Sequence, residues 1–205
     1  MLPPRIRRLK LDYEQLQRRF SSWPLITIVG TAGLPPELYR FQYLIRGLYV
    51  APDGAILERN EHLLEINLTL GYPRRAPQCR MLTPVFHPNF DDSSVCIGDF
   101  WAASEALDDL VVRIGRMIAY QEYNTKSPLN GLAAKWAAQN VHLLPVDSRP
   151  VAPPLEGGET RLEAPSPVPP LPQPPVQNQS STSPQPRPPA SEAGDDPWSQ
   201  KIVIT

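Results

Sequence analysis

Cysteine, histidine and lysine are all scarce in this chain. Its 205 residues include two cysteines, Cys79 and Cys96, three histidines, and four lysines against sixteen arginines. No Cys-x-x-Cys pair or Cys/His cluster occurs, so neither a zinc site nor a disulfide framework is expected. Long apolar runs are also missing. Nothing approaches the roughly 20 residues that cross a bilayer, and no apolar segment of signal-peptide length follows the basic N-terminus. The expected setting is cytoplasmic and off the membrane, where a reducing medium keeps a thiol free. Charge of one sign does not dominate either. A net charge of −1 leaves no general polycationic surface for nucleic acid.

Proline is abundant and unevenly placed. Of 27 prolines, 16 lie from Pro145 onward, mixed with Ser, Gln, Glu and Gly. Such a stretch holds too few apolar residues to bury and reads as an unfolded, partly polyproline-II segment. The expected organisation is a domain over 1–144, a Pro-rich linker over 145–197 and a short apolar segment over 198–205. The last of these, Trp198 to Thr205, is β-prone and is either a frayed terminus or a strand that adds to a sheet edge.

Before Pro145 the hydrophobic period changes in an ordered way. Ile6, Leu9, Tyr13, Leu16 and Phe20 recur at helical steps. Leu25–Val29 is a short apolar strand. Tyr39, Phe41, Tyr43 and Ile45 alternate with more polar residues, as do Leu64, Ile66, Leu68 and Leu70. Ala51-Pro52-Asp53-Gly54 is a turn signal, and Gln78–Leu82 makes a fourth strand. Leu107, Leu110, Val111, Ile114 and Ile118 mark a second helix. Leu129, Leu132, Ala133 and Trp136 mark a third, with Ser127 as its cap before Pro128. Strands grouped between helices predict an α+β fold with an antiparallel four-stranded meander. Phe86, Trp101 and Trp136 read as core.

One segment carries chemistry. Thr83-Pro84-Val85-Phe86-His87-Pro88-Asn89 precedes Cys96 by seven residues, counted from the Asn. A thiol can hold an acyl group as a thioester, and a nearby amide can stabilise the oxyanion formed when an amine attacks it. Asn89 can equally cap the turn. His87 suits a structural role, its ring holding a loop through backbone hydrogen bonds. Cys79 falls in the fourth-strand pattern and reads as a small buried hydrophobe. His62 and His142 lie far from Cys96 in sequence, so no triad for a cysteine hydrolase emerges.

Several of these segments together resemble the ubiquitin-conjugating enzyme family. Tyr72-Pro73-Arg74-Arg75-Ala76-Pro77 is similar to its YPxxPP segment, with Ala76 in place of a proline. His87-Pro88-Asn89 matches its HPN motif, and Val95-Cys96-Ile97 its active-site cysteine between apolar residues. Ser127-Pro128-Leu129-Asn130, followed by Ala133-Ala134, resembles its PLNxxAA segment. The resemblance covers about Leu9 to Asn140.

It implies that Cys96 accepts ubiquitin or a ubiquitin-like protein from an activating enzyme as a thioester. The acyl group then passes to an amine, directly or with a ligase. No cofactor is implied. Asn89 would assist catalysis, with His87, Pro88, Lys126 and Ser127 supporting the active-site loop. The first helix would dock the activating enzyme through an exposed face holding Arg5, Arg8 and Arg19, although a merely solvated face explains those charges too. The Asn-to-Cys spacing is one residue shorter than the family's usual one, which would re-aim one of the two side chains. Lys126 and Ser127 stand where the family often places an acid, with Asp91, Asp92 and Asp99 as possible substitutes. These departures suggest a divergent, prokaryotic branch, to which the arginine and proline bias of a GC-rich bacterial genome would fit. A catalytically inactive binding variant is the main alternative, against which the retained cysteine counts.

Overall fold

The computed structural model describes residues 2–98, 101–145 and 147–154. The Pro-rich segment past Pro154 and the apolar stretch Trp198–Thr205 fall outside these residues, as does Asp99. The chain opens with helix α1 (Pro4–Phe20). Six strands follow: β1 (Ile26–Gly33), β2 (Pro36–Tyr43), β3 (Gly47–Val50), β4 (Ile56–Arg59), β5 (His62–Asn67) and β6 (Gln78–Met81). After a long loop come helices α2 (Leu107–Ile118) and α3 (Gly131–Gln139) and a single 3-10 turn, Val141–Leu143. Strands β1, β2, β5 and β6 form an antiparallel sheet in that order, while β3 and β4 pair as a separate hairpin. The expected α+β order and the four-stranded meander are therefore present.

The hairpin is a correction. The turn at Ala51–Gly54 was legible, and Gly54 takes the positive φ of +88° that favours glycine there. The strands on either side of it were not, because only four residues each pair, Gly47–Val50 with Ile56–Arg59, and so short a run barely registers as alternation. Strand β5 also ends earlier than the alternation suggested. It stops at Asn67 and leaves Leu70 almost fully exposed.

Alternation along the sheet sorts its two faces. Tyr39, Phe41, Tyr43, Leu64 and Ile66 point inward and are wholly buried, while Arg40 and Arg80 grip Glu65 on the other face. Helix α2 shares its core with the inner face, the Val111 carbonyl accepting from the Tyr43 hydroxyl at 2.9 Å, and is buried almost all round, with only Asp109 and Arg116 exposed along it. That distribution marks a central helix rather than a surface one. Asp108 and Asp109 sit in its first turn, where carboxylates suit the helix dipole.

Arg5, Arg8 and Arg19 do not form the exposed basic face expected of α1. Arg8 forks onto Asp12, whose side chain is 1% exposed, at 2.8 and 3.0 Å. It also reaches the Tyr72 hydroxyl and the carbonyls of Ala103 and Glu105. The Tyr72 hydroxyl donates to the same carboxylate at 2.7 Å. Burial raises the Asp12 pKa, while Tyr72 and Arg8 pull it back down. Arg5 joins Glu37 and the carbonyls of Leu68 and Thr69. Arg19 bridges Asp108 and Asp109, tying the end of α1 to the start of α2. Periodicity placed these arginines on the flank of the helix but could not reveal the carboxylates waiting there. The cations of α1 that face solvent are Arg7, Lys10 and Arg18.

The packed chain also runs past the expected boundary at 144. Pro145 and Val151 are buried, and Val151 closes over Gly115 of α2. There a side-chain carbon on the glycine would lie 2.7 Å from Val151 Cγ1 and 3.1 Å from Tyr43 Cε1. The Trp23 indole N–H donates to the Val151 carbonyl at 2.9 Å. Composition hid this, because a single valine among prolines and polar residues does not read as core.

A chain ending at Leu144 should therefore be less stable than one ending at Pro154. The expected loss is about 3 kcal/mol, from the buried valine and the hydrogen-bonding groups left without partners. Urea denaturation of the two lengths measures it, and equal midpoints would return residues 145–154 to the linker.

Candidate functional site

The stretch from Phe86 to Asn130 makes a site because several elements pin its backbone. The Phe86 N–H donates to Leu48 of β3 at 2.7 Å, and the Tyr120 hydroxyl donates to the Phe86 carbonyl at 2.6 Å. The Phe86 ring meets Trp136 of α3 edge-on, with centroids 5.8 Å apart. His87 is wholly buried, its ring set against Tyr120 and Phe90 at 4.6 and 4.9 Å. Its Nδ1 accepts from the Asn89 N–H at 3.0 Å. The ring is therefore neutral, and burial lowers its pKa to about 3 against a smaller opposing pull from the Glu122 backbone. The Pro88 carbonyl accepts two N–H groups, from Leu129 at 2.9 Å and Asn130 at 3.0 Å. The HPN turn and the PLN segment are thus joined directly.

The shortened spacing between Asn89 and Cys96 closes as a tight turn. Phe90 and Val95 pair as an antiparallel bridge, and Asp91 N–H donates to the Ser94 carbonyl. The Asp91 carboxylate gathers the N–H and hydroxyl groups of Ser93 and Ser94, with the two backbone bonds at 2.7 and 2.6 Å. Those bonds, the Ser93 N–H foremost, lower the Asp91 pKa. At the base of the turn the Cys96 N–H donates to the Asn89 carbonyl at 2.8 Å. That bond joins the two residues through their backbones.

The Asn89 side chain divides its two ends. Its Oδ1 accepts from the Asn124 N–H at 3.0 Å, and among the described residues its Nδ2 makes no hydrogen bond. Asn124 was not foreseen as a site residue. Its N–H holds Asn89, and its own Oδ1 accepts from Lys126 at 2.9 Å and Ser127 at 3.4 Å, building the loop that faces the HPN turn. The only sequence signal was an Asn two and three residues ahead of those amides, the spacing of an Asx turn. Lys126 and Ser127 are exposed on this loop. Ser127 is not the cap of α3. Asn130 is, its Oδ1 accepting from Ala133 at 3.0 Å. Asn130 lies directly ahead of the first helical residue, where a side-chain oxygen can reach the orphan N–H groups.

The two thiols differ sharply. Cys79 is buried in β6, where burial pushes its pKa up to about 12. Cys96 is half-exposed. Gly98, two residues on, takes a φ of +105° that a side chain would strain. Trp101 folds back, its indole N–H donating to the Pro73 carbonyl at 2.7 Å and its ring 6.0 Å from Tyr72. No histidine is joined to Cys96 by a hydrogen bond among the described residues. His62 is buried against the Arg59 carbonyl with its pKa lowered to about 4, and His142 lies in the 3-10 turn after α3. A hydrolase built on a Cys–His pair has no base here. Asp91 is committed to its turn, and Asp92 is exposed beside it. Among the described residues no group of three His, Cys, Asp or Glu side chains is arranged to hold a metal.

The two buried rings give the stability a pH dependence. Each has a folded pKa below the unfolded value of 6.5, so the unfolded chain binds more protons as the pH falls. Stability is full above pH 6.5 and is lost below it. Between pH 7 and 5 the expected loss is about 2 kcal/mol per ring, with the slope approaching one proton for each ring. Chemical denaturation at several pH values reads it directly, and a flat profile would show that His62 and His87 protonate in the folded state.

Comparison with known proteins finds a family match and a relative. Residues 8–143 match the family model described as "Ubiquitin-conjugating enzyme". Over 146 residues the chain is 27% identical to "Ubiquitin-conjugating enzyme E2 1" of Caenorhabditis elegans, covering 68% of this chain and 69% of that protein.

Proposed function

Because the chain belongs to the ubiquitin-conjugating enzyme family, we propose that it carries a ubiquitin-like protein as a thioester on Cys96 and transfers it to an amine. The observation that supports this most is the juncture of Asn89 and Cys96. The residue that carries the half-exposed thiol donates its backbone N–H to the carbonyl of Asn89, whose side-chain oxygen is occupied and whose amide N–H groups make no hydrogen bond among the described residues.

Loading is an exchange. The Cys96 sulfur attacks the thioester carbonyl on the activating enzyme, the carbon–sulfur bond there breaks, and that enzyme's thiol leaves. In discharge a neutral amine attacks the new thioester. Charge develops on the carbonyl oxygen, where the Asn89 amide can meet it, and collapse expels the Cys96 thiol while the amine gives up its proton. His87, buried and neutral, takes no proton in this scheme. Its work is to set the Asn89 backbone.

The activating enzyme would meet α1, as the family implies. The cations free to steer it are Arg7, Lys10 and Arg18, since Arg5, Arg8 and Arg19 are engaged within the fold. Ligase and target belong to the same reading. Placement in a prokaryotic branch rests on composition and on the departures at Ala76, the spacing and Lys126. A reducing compartment suits a working thiol.

Reconstitution tests the reading. The chain, an activating enzyme with ATP, and its ubiquitin-like protein should give an adduct that a reducing agent cleaves. Absence of any labile adduct, with the chain folded and the activating enzyme charged, would sink it.

A further inference from the structure

Residues 147–154 cross the domain as a strap with several fastenings. The Asp147 carboxylate accepts from the Arg46 N–H at 3.2 Å and from Arg149, and Arg149 reaches the Leu44 carbonyl at 2.9 Å. Val151 is packed on Gly115 of α2, and Trp23 holds its carbonyl. Ala152 also packs on the core, and Gln121 makes a further fastening. Its Nε2 donates to the Asp147 carbonyl at 2.5 Å and to the Arg149 carbonyl at 3.3 Å.

Gln121 stands at the root of the loop that faces the HPN turn. Three residues on, the Asn124 N–H holds Asn89 Oδ1, and farther along Leu129 and Asn130 hold the Pro88 carbonyl. On the other side, Tyr120 carries the positive φ of 54° with which the chain leaves α2, and its hydroxyl holds Phe86. The loop's own residues, Gln121 to Ser127, are exposed. Tyr123 is its one ring laid against the domain, 5.7 Å from Tyr120 and 6.4 Å from His87; elsewhere the loop is held by hydrogen bonds, and so lightly buried a segment opens locally at low cost.

We propose that Gln121 is a positioning residue that couples the 147–154 strap to the active-site loop. A seated strap holds the root of the loop, the loop then presents the Asn124 N–H to Asn89, and the free end of the Asn89 amide is aimed. The consequence for transfer rests on the reading of Cys96 given above. The coupling itself does not, because it is measured on the free protein.

The experiment is site-resolved amide exchange on the full chain and on three variants. Gln121→Ala removes the donor. Gln121→Glu keeps the side-chain length but sets a carboxylate against two carbonyls. Trp23→Phe keeps a ring but releases the far end of the strap. In both Gln121 variants the amides of Asn124, Leu129 and Asn130 should exchange at least about tenfold faster, with the β2–β5 ladder unchanged, as expected of a local opening. Trp23→Phe should move the same three amides in the same direction. Wild-type exchange at these amides would overturn the proposal. So would equal acceleration throughout the sheet, or a Gln121→Glu variant that behaves as wild type, since either would reduce Gln121 to bulk stability or packing.

Discussion

With Cys96 replaced by serine, the reductant-labile adduct should disappear. A hydroxyl is a far weaker nucleophile than a thiol at neutral pH and, once acylated, a poorer leaving group. What forms, if anything, is a stable oxyester that survives reducing agent. Loss of a nucleophile is among the largest single effects known in enzymes, on the order of 10⁶ in rate. Cys79→Ser is the matching control. Its thiol is raised to about 12 and shut inside β6, so it holds no useful thiolate near neutral pH. That variant should load normally and lose about 1–3 kcal/mol of stability, from a hydroxyl placed among apolar neighbours. Gel analysis with and without reductant separates the two outcomes. A labile adduct on the Cys96→Ser chain would remove Cys96 from the chemistry.

Asn89→Ala should slow discharge to an amine by about 10²–10³, the usual cost of losing an oxyanion donor. The same substitution withdraws Oδ1 from the Asn124 N–H, so a loss of rate alone leaves the cause open. Asn89→Asp resolves it. A carboxylate keeps an acceptor for Asn124 but has no N–H and places negative charge where the oxyanion forms. Asp should therefore melt near the wild type yet discharge at least as slowly as Ala. Single-turnover discharge measured beside melting temperature decides between the roles. An Asp variant with wild-type discharge would make Asn89 purely a loop anchor. An Ala variant that loses only melting temperature would lead to the same conclusion.

Much of the domain could be read from its residues because the relevant signals are local. Helical spacing in Leu9, Leu16 and Phe20 and strict alternation in Tyr39, Phe41 and Tyr43 are set by backbone geometry, and each of these side chains is buried as the period requires. The burial of Cys79 followed from its strand pattern. The contrast with Cys96 followed from the polar run Asp91–Ser94, which turns out to be a tight turn held by one carboxylate.

What could not be read depends on partners distant in sequence. Arg8 and Asp12 are one helical turn apart, yet their third member, Tyr72, is 60 residues from Asp12. Nothing local says that those charges face inward together. The same holds for Val151 over Gly115, for Asn124 against Asn89, and for the cap of α3, where Asn130 rather than Ser127 meets the first free amides.

The sequence by itself therefore determined the order of the helices and of the four main-sheet strands, the α+β class and which thiol is the accessible one, because period and turn chemistry act over a few residues; the short hairpin was beyond it. Only the tertiary structure decided which arginines are braces and how far the domain runs. It also decided what holds the Asn89 side chain, because a buried ion pair, a covered glycine and a bridging amide exist only once separate stretches of chain have met.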